Sequence, residues 1–227
     1  MGEGISYFNI LFERCGWIGY LLWALSVLAG AVIVRLLLTI RRSRLVSEPL
    51  RRQMLTLVPS RQIPQALEIS ARDPSLLGGV MTAALREHAH GYAAMERAME
   101  EAAEQHSTAL LRQVEWLNLF GNIGPMLGLM GTVWGMILAF FTIVAKGGIP
   151  NPSDLADAIG IALVTTLQGL WIAIPSLAVY AVLRNRIDEL TNQALLISQE
   201  LVGRSLGPGE AAGTGRAARE PLKARQG

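Results

Sequence analysis

Three long stretches of this 227-residue chain contain no Asp, Glu, Lys, Arg or His: Cys15 to Val34, Trp116 to Ala145 and Ala158 to Leu183. Each is long enough as a helix to cover roughly 30 Å, about one bilayer core. Cysteine is equally scarce. Cys15 stands alone, which excludes an internal disulfide and a Cys-based metal site. No Ser/His/Asp constellation is apparent. Gly128-Leu-Met-Gly131 is not a phosphate loop, because it lies in an apolar run and no Lys follows it. The chain is therefore read as a non-enzyme that needs no cofactor and no metal. Its net charge of +2 and pI near 9.0 are too mild to argue for nucleic acid. Glu3, Glu13 and Arg14 do not suit an ordinary cleavable signal, and the Met1-Gly2…Ser6 myristoylation pattern is too short to weigh against firmer anchors.

Hydrophobic residues make up 51% of the chain, with a mean hydropathy of +0.36, and they concentrate in the three uncharged runs. The fold class this implies is an all-α membrane protein. It has three transmembrane helices, over 16–40, 116–145 and 158–183, with long cytoplasmic helical extensions. Trp17, Tyr20 and Trp23 crowd the start of the first span as an interfacial belt would. Arginines dominate residues 41–115 and the segment after 184, whereas Lys146 is the one basic residue between the second and third spans. The positive-inside rule then puts 1–15 outside, makes 41–115 a cytoplasmic helical domain, 146–157 an outer loop, 184–206 a cytoplasmic helix and 207–227 a cytoplasmic disordered tail.

Pro49, Pro59, Pro64 and Pro74 predict short helices with turns over 45–75. From Ser75 onward, apolar positions such as Leu77, Met81, Leu85, Tyr92, Met95 and Met99 recur at three, four or seven. That pattern predicts one helix of ~100 Å running into the second span. The third span is expected to continue past Arg184 to about Val202, its extension packing with that of the second. His88 and His90 do not share a helix face, so a metal reading is weak and a solvated surface is favoured.

Gly124, Gly128, Gly131 and Gly135 form one face of the second span. Ala158, Ala162, Thr166, Gly169, Ala173 and Ser176 form one face of the third. Small residues let membrane helices approach closely, and that packing role competes with a pore lining. Thr132, Thr165, Thr166 and Gln168 are the polar candidates for an ion pathway, Gln168 lying off the Thr166 face. Pro125 and Pro175 each remove an amide donor and are expected to kink their helices. Proton relays through membranes normally use an ionisable group. If this chain helps to move protons, the titrating carboxylate must come from another chain.

The stretch Gly124-Pro-Met-Leu-Gly-Leu-Met-Gly-Thr-Val-Trp-Gly-Met-Ile137 resembles the second-span signature of ExbB and TolQ, and more loosely that of MotA. Ala162-Leu-Val-Thr-Thr-Leu-Gln-Gly-Leu-Trp-Ile-Ala-Ile-Pro175 resembles their third-span signature. The resemblance implies a multi-pass subunit of the bacterial inner membrane, with its N-terminus periplasmic and its C-terminus cytoplasmic. It implies a homopentamer around an ExbD/TolR-like single-span partner that supplies a membrane Asp, with a TonB/TolA-like protein as a further partner in some systems. The family threonines fall on Thr132 and Thr166 and the family proline on Pro175. ExbB-type members often carry a glutamate in the turn before the third-span threonine, and this chain has Ile161 there. The expected function is a channel-scaffold subunit of a proton-motive-force-driven motor, against the alternative of a non-conducting scaffold for a single-span partner.

Overall fold

The computed structural model describes residues 16–40, 45–145, 147 and 152–205. The expected segment 1–15, the cluster Arg41, Arg42 and Arg44, most of the loop after the second span and the expected disordered tail lie outside the described residues. The described elements are all helical. They are α1 (Gly16–Thr39), α2 (Glu48–Leu57), α3 (Ile63–Arg72), α4 (Leu76–Arg86), a 3-10 turn (His88–His90), α5 (Tyr92–Ala145) and α6 (Pro152–Ser205). Three of them, α1, α5 and α6, contain stretches long and apolar enough to cross a membrane. The chain is an all-α membrane protein with three such helices.

The contacts divide into two compact units. Of the described residues, the first holds those from Gly16 to Leu38 together with those of Gln113–Leu183, and the second holds those of Thr39–Arg112 and Arg184–Ser205. Within the first, α1 and the span portions of α5 and α6 bury only narrow stripes. Val27, Val133, Phe141, Trp171 and Ile174 are all exposed. So much apolar surface belongs in lipid or against other chains. Trp17 of α1 meets Trp134 of α5 edge-on, with ring centroids 6.4 Å apart, an arrangement in which a positive ring edge faces a negative ring face.

In the second unit the prolines sit where helices tolerate them. Pro49 and Pro64 lie in the first turns of α2 and α3, where the missing N–H has no partner to lose. Ser47 and Ser75 cap α2 and α4, accepting from the amides of Leu50 and Gly78. The core of this unit is built on Leu50, Met54, Leu77, Met81, Met95 and Met99, with Ile187, Leu190, Ala194 and Leu201 from α6.

The single ~100 Å helix expected from Ser75 is broken. α4 ends at Arg86, and Gly91 takes a φ of 88°, a left-handed conformation that suits glycine, before α5 begins. The apolar series ran on through the break because Leu85 and Tyr92 are seven apart, the same step as two helical turns. α5 and α6 each still run for 54 residues, ~80 Å of helix. α6 starts at Pro152, earlier than the expected Ala158, and ends at Ser205.

Asp73 joins α3 to α4. Partial burial pushes its carboxyl up, but hydrogen bonds from the Ser75 side chain and amide and from Ser47 outweigh that and hold it below its ordinary value. A depressed folded value means stability that is present at neutral pH and lost as pH falls through it. Asp73→Asn is expected to lower the melting midpoint at pH 7 by about 2 °C, with the gap to wild type closing in acid. Circular dichroism melts of the detergent-solubilised chain at the two pH values check this, and a gap independent of pH refutes the assignment.

Candidate functional site

α5 and α6 meet along their small-residue faces in the first unit. The tightest approach is backbone to backbone. A Cβ added to Gly169 would stand 2.5 Å from the Gly124 carbonyl oxygen, and one added to Gly124 would stand 2.9 Å from the Gly169 carbonyl oxygen. At Gly128 the obstacles are the Thr165 carbonyl oxygen and the Thr166 Cα, both at 3.0 Å. At Gly131 the Thr165 side chain fills the space, and at Gly135 it is the Ala162 Cβ at 3.1 Å. By contrast, Gly160 on α6 and Gly30 on α1 have nothing within 4 Å of the added carbon.

The threonines divide by position. Thr165 is 1% exposed. Its hydroxyl donates to the Ala162 carbonyl at 2.7 Å and reaches the Gly128 carbonyl at 3.4 Å. Thr166 is half-buried and also donates to Gly128, at 3.4 Å. Thr132, likewise half-buried, donates to Leu129 of its own helix at 2.7 Å. Thr166 and Thr132 thus border the seam, roughly one helical turn apart along it, while Thr165 lies inside it. Pro125 is half-buried and Pro175 exposed, and both helices continue through their prolines.

Gln168 turns elsewhere. It lines a cavity of about 310 Å³ between α1 and α6 with Leu22, Trp23, Ser26, Leu167 and Trp171. The structure does not bring it together with Thr132 and Thr166. Ile161 is half-buried on α6.

A polar chain that the sequence reading did not single out lies on the same pair of helices. Asn122 Nδ2 donates to the Asn118 Oδ1 at 3.0 Å and to the Asn118 carbonyl at 2.8 Å. Asn118 Nδ2 donates to Glu115 Oε1 at 2.7 Å, and the Tyr180 hydroxyl of α6 donates to Glu115 Oε2 at 3.3 Å. Tyr180 stands four residues after Ser176 and so continues the α6 stripe. In the second unit, His90 Nδ1 lies 2.9 Å from Glu87 Oε2 on the surface, and His88 is half-buried.

Known proteins resemble parts of this chain. The matching stretch in exbB1 of Vibrio cholerae, titled a biopolymer transport protein, is 48% identical over 62 residues, 27% of each chain. A putative ExbB homolog of Methanothermobacter thermautotrophicus is 33% identical over 46% of this chain and 37% of its own. ExbB of Xanthomonas campestris is 37% identical over 36% and 32% respectively. The matches therefore span only about a quarter to two fifths of these relatives. The solved structure of Campylobacter jejuni MotAB shares the fold at a TM-score of 0.50 and 19% identity, over 89% of this chain and 81% of that one. The sequence model of the MotA/TolQ/ExbB proton channel family matches residues 72–194, more than half of the protein, and the chain belongs to that family.

Proposed function

We propose that this chain is the channel-scaffold subunit of an ion-driven motor of the bacterial inner membrane. It would form a homopentamer around a single-span ExbD/TolR-like partner. The observation that carries the reading is the seam itself: two membrane helices in backbone contact, bordered by Thr132 and Thr166, with no Asp, Glu, Lys, Arg or His in either uncharged run. The partner supplies a membrane aspartate. Protonated from the periplasmic side, it is neutral and crosses the apolar wall at low cost, whereas its charged form does not. Beside Thr132 and Thr166 it meets hydroxyl groups that can hydrogen-bond it. It then releases the proton toward the cytoplasm and turns relative to the surrounding subunits. The N-terminus is periplasmic and the C-terminus cytoplasmic in this arrangement, as the arginine distribution supports. The motion reaches the partner's periplasmic domain, and through a TonB/TolA-like protein where one is present.

A second reading is a non-conducting scaffold. It is favoured by the hydroxyls of Thr132 and Thr165, which are already bonded to their own helix. Reconstitution in liposomes separates the two. The chain with its partner is expected to carry ion flux and the chain alone is not. Thr132→Val together with Thr166→Val is expected to lower that flux by about tenfold, the loss of one or two hydrogen bonds to the moving acid. An intact complex that carries nothing leaves the scaffold reading. Undiminished flux in the double variant removes the threonines from the path.

A further inference from the structure

Beyond that reading, and resting on it, we propose that Glu115, Asn118, Asn122 and Tyr180 form the cytoplasmic mouth of the ion path, a binding site for a monovalent cation on its way out of the seam. The cation is either hydronium or Na⁺, since a carboxylate holds both; the Asn118 amide and the Tyr180 hydroxyl donate to the Glu115 oxygens and orient them.

Four observations converge. Asn122 is exposed on α5, seven residues past Glu115, ~10 Å along the helix. That depth lies inside the uncharged run, beyond the exposed Trp116 that would mark its interface. An amide turned toward acyl chains at that level is costly, so the face that carries it belongs toward water or other protein.

Second, Asn118, Pro125 and Thr132 are spaced by seven, so the polar chain and the seam threonine lie on nearly one face of α5. Third, Pro125 has no amide hydrogen, which leaves the Gly121 carbonyl without its helical donor. An acceptor therefore stands level with Asn122. From there to the Gly128 carbonyl, where Thr166 donates, is ~9 Å of helix, a gap that two or three waters bridge. Fourth, Glu115 is the first carboxylate met on α5 below the uncharged run, and Tyr180 of the α6 stripe reaches it. On its own helix Arg112 stands one turn away. On α6 the facing group is Tyr180, and Arg184 lies one turn further along.

The step is a simple relay. A hydronium released at the seam passes its proton along water to the Glu115 carboxylate. The carboxylic acid so formed gives the proton to cytoplasmic water and returns to carboxylate. For Na⁺ no bond is made or broken. The ion exchanges seam water for the Glu115 carboxylate oxygens and then for bulk water.

The test uses the complex of this chain and its partner in membrane vesicles of both orientations, with either a proton gradient or a Na⁺ gradient imposed, so that the two arms tell the cations apart. Glu115→Gln is expected to raise the half-saturating concentration of cation offered at the cytoplasmic face about tenfold. The periplasmic-face value should stay unchanged, and Glu115→Asp should restore most of the loss. Equal depression at both faces, unrescued by Asp, identifies a mere clamp between α5 and α6 or a headgroup anchor, and overturns the proposal. Wild-type values in Glu115→Gln overturn it too, leaving the channel reading standing. If Glu115→Gln does not assemble, Asn122→Leu reads the other end of the chain, and an unchanged cytoplasmic-face value there is equally fatal. A wild-type complex that carries neither cation removes the channel reading and this site with it.

Discussion

Replacing the membrane aspartate of the proposed partner with asparagine is expected to abolish flux through the complex, by about a hundredfold or more, without dissociating it. The reasoning starts from what this chain lacks. Neither Trp116–Ala145 nor Ala158–Leu183 contains an Asp, Glu, Lys, Arg or His. The hydroxyls of Thr132 and Thr166 can hydrogen-bond a passing acid but cannot take up and release its proton near neutral pH. Asparagine keeps the size and much of the hydrogen bonding of aspartate and loses only the titration. If flux stops while the purified complex keeps its composition, the acid acts in trans. If the asparagine complex still conducts, the path needs no titrating group from the partner and the proposed division of labour fails.

Gly169→Val is expected to remove most of the folded complex, cutting the detergent-stable yield about tenfold or more. Overpacking typically costs 1–3 kcal/mol where side chains can yield. Here the obstacles to a Cβ are the Gly124 carbonyl oxygen at 2.5 Å, the Gly124 carbonyl carbon at 3.2 Å and the Gly128 Cα at 3.2 Å. Backbone atoms have no rotamer to change, so the helices themselves must part. That separation would also pull the Gly128 carbonyl away from Thr165 and Thr166. The internal control is Gly160→Val on the same helix, where nothing stands within 4 Å and only the modest propensity of valine changes. Gly121 belongs between the two, since its obstacle is the Leu177 side chain, which can rotate. Yields following the order Gly160, Gly121, Gly169 would establish contact distance as the cause. Equal losses at Gly160 and Gly169 would point to glycine's flexibility instead.

The spans were legible because each lacks charge over a bilayer's length, and the seam was legible because its small residues recur at three and four. The break before α5 was not legible, because a seven-residue step across Gly91 mimics continuous helix. Only the sign of φ at that glycine decides the matter, and no neighbouring side chain encodes it. Spacing alone sets Gln168 off the Thr166 face but does not tell which threonine enters the seam. The helix rotation decides this, sending Thr165 into the seam, Thr166 to its edge and Gln168 toward α1. The chain from Asn122 to Tyr180 escaped notice for a different reason. Scanning for charge classes asparagine with the apolar residues, and following small residues along α6 ends at Ser176. Extending that series by one more step of four would have reached Tyr180, and the i, i+4 pair Asn118 and Asn122 would have pointed back to Glu115.

The contrast between crowded and open glycines bears on what can drift over evolutionary time. At Gly30 and Gly160 an alanine or serine alters only what the protein shows to its surroundings, so neutral change is free to accumulate there. At Gly124, Gly128 and Gly169 one extra carbon must displace a peptide plane on the facing helix, and a second, compensating substitution cannot supply room that side chains never occupied. Those three positions are fixed by the distance between two backbones, whatever ion passes beside them. A descendant chain that lost its conductance and kept only its assembly would still carry them, and would be recognised by the same glycines.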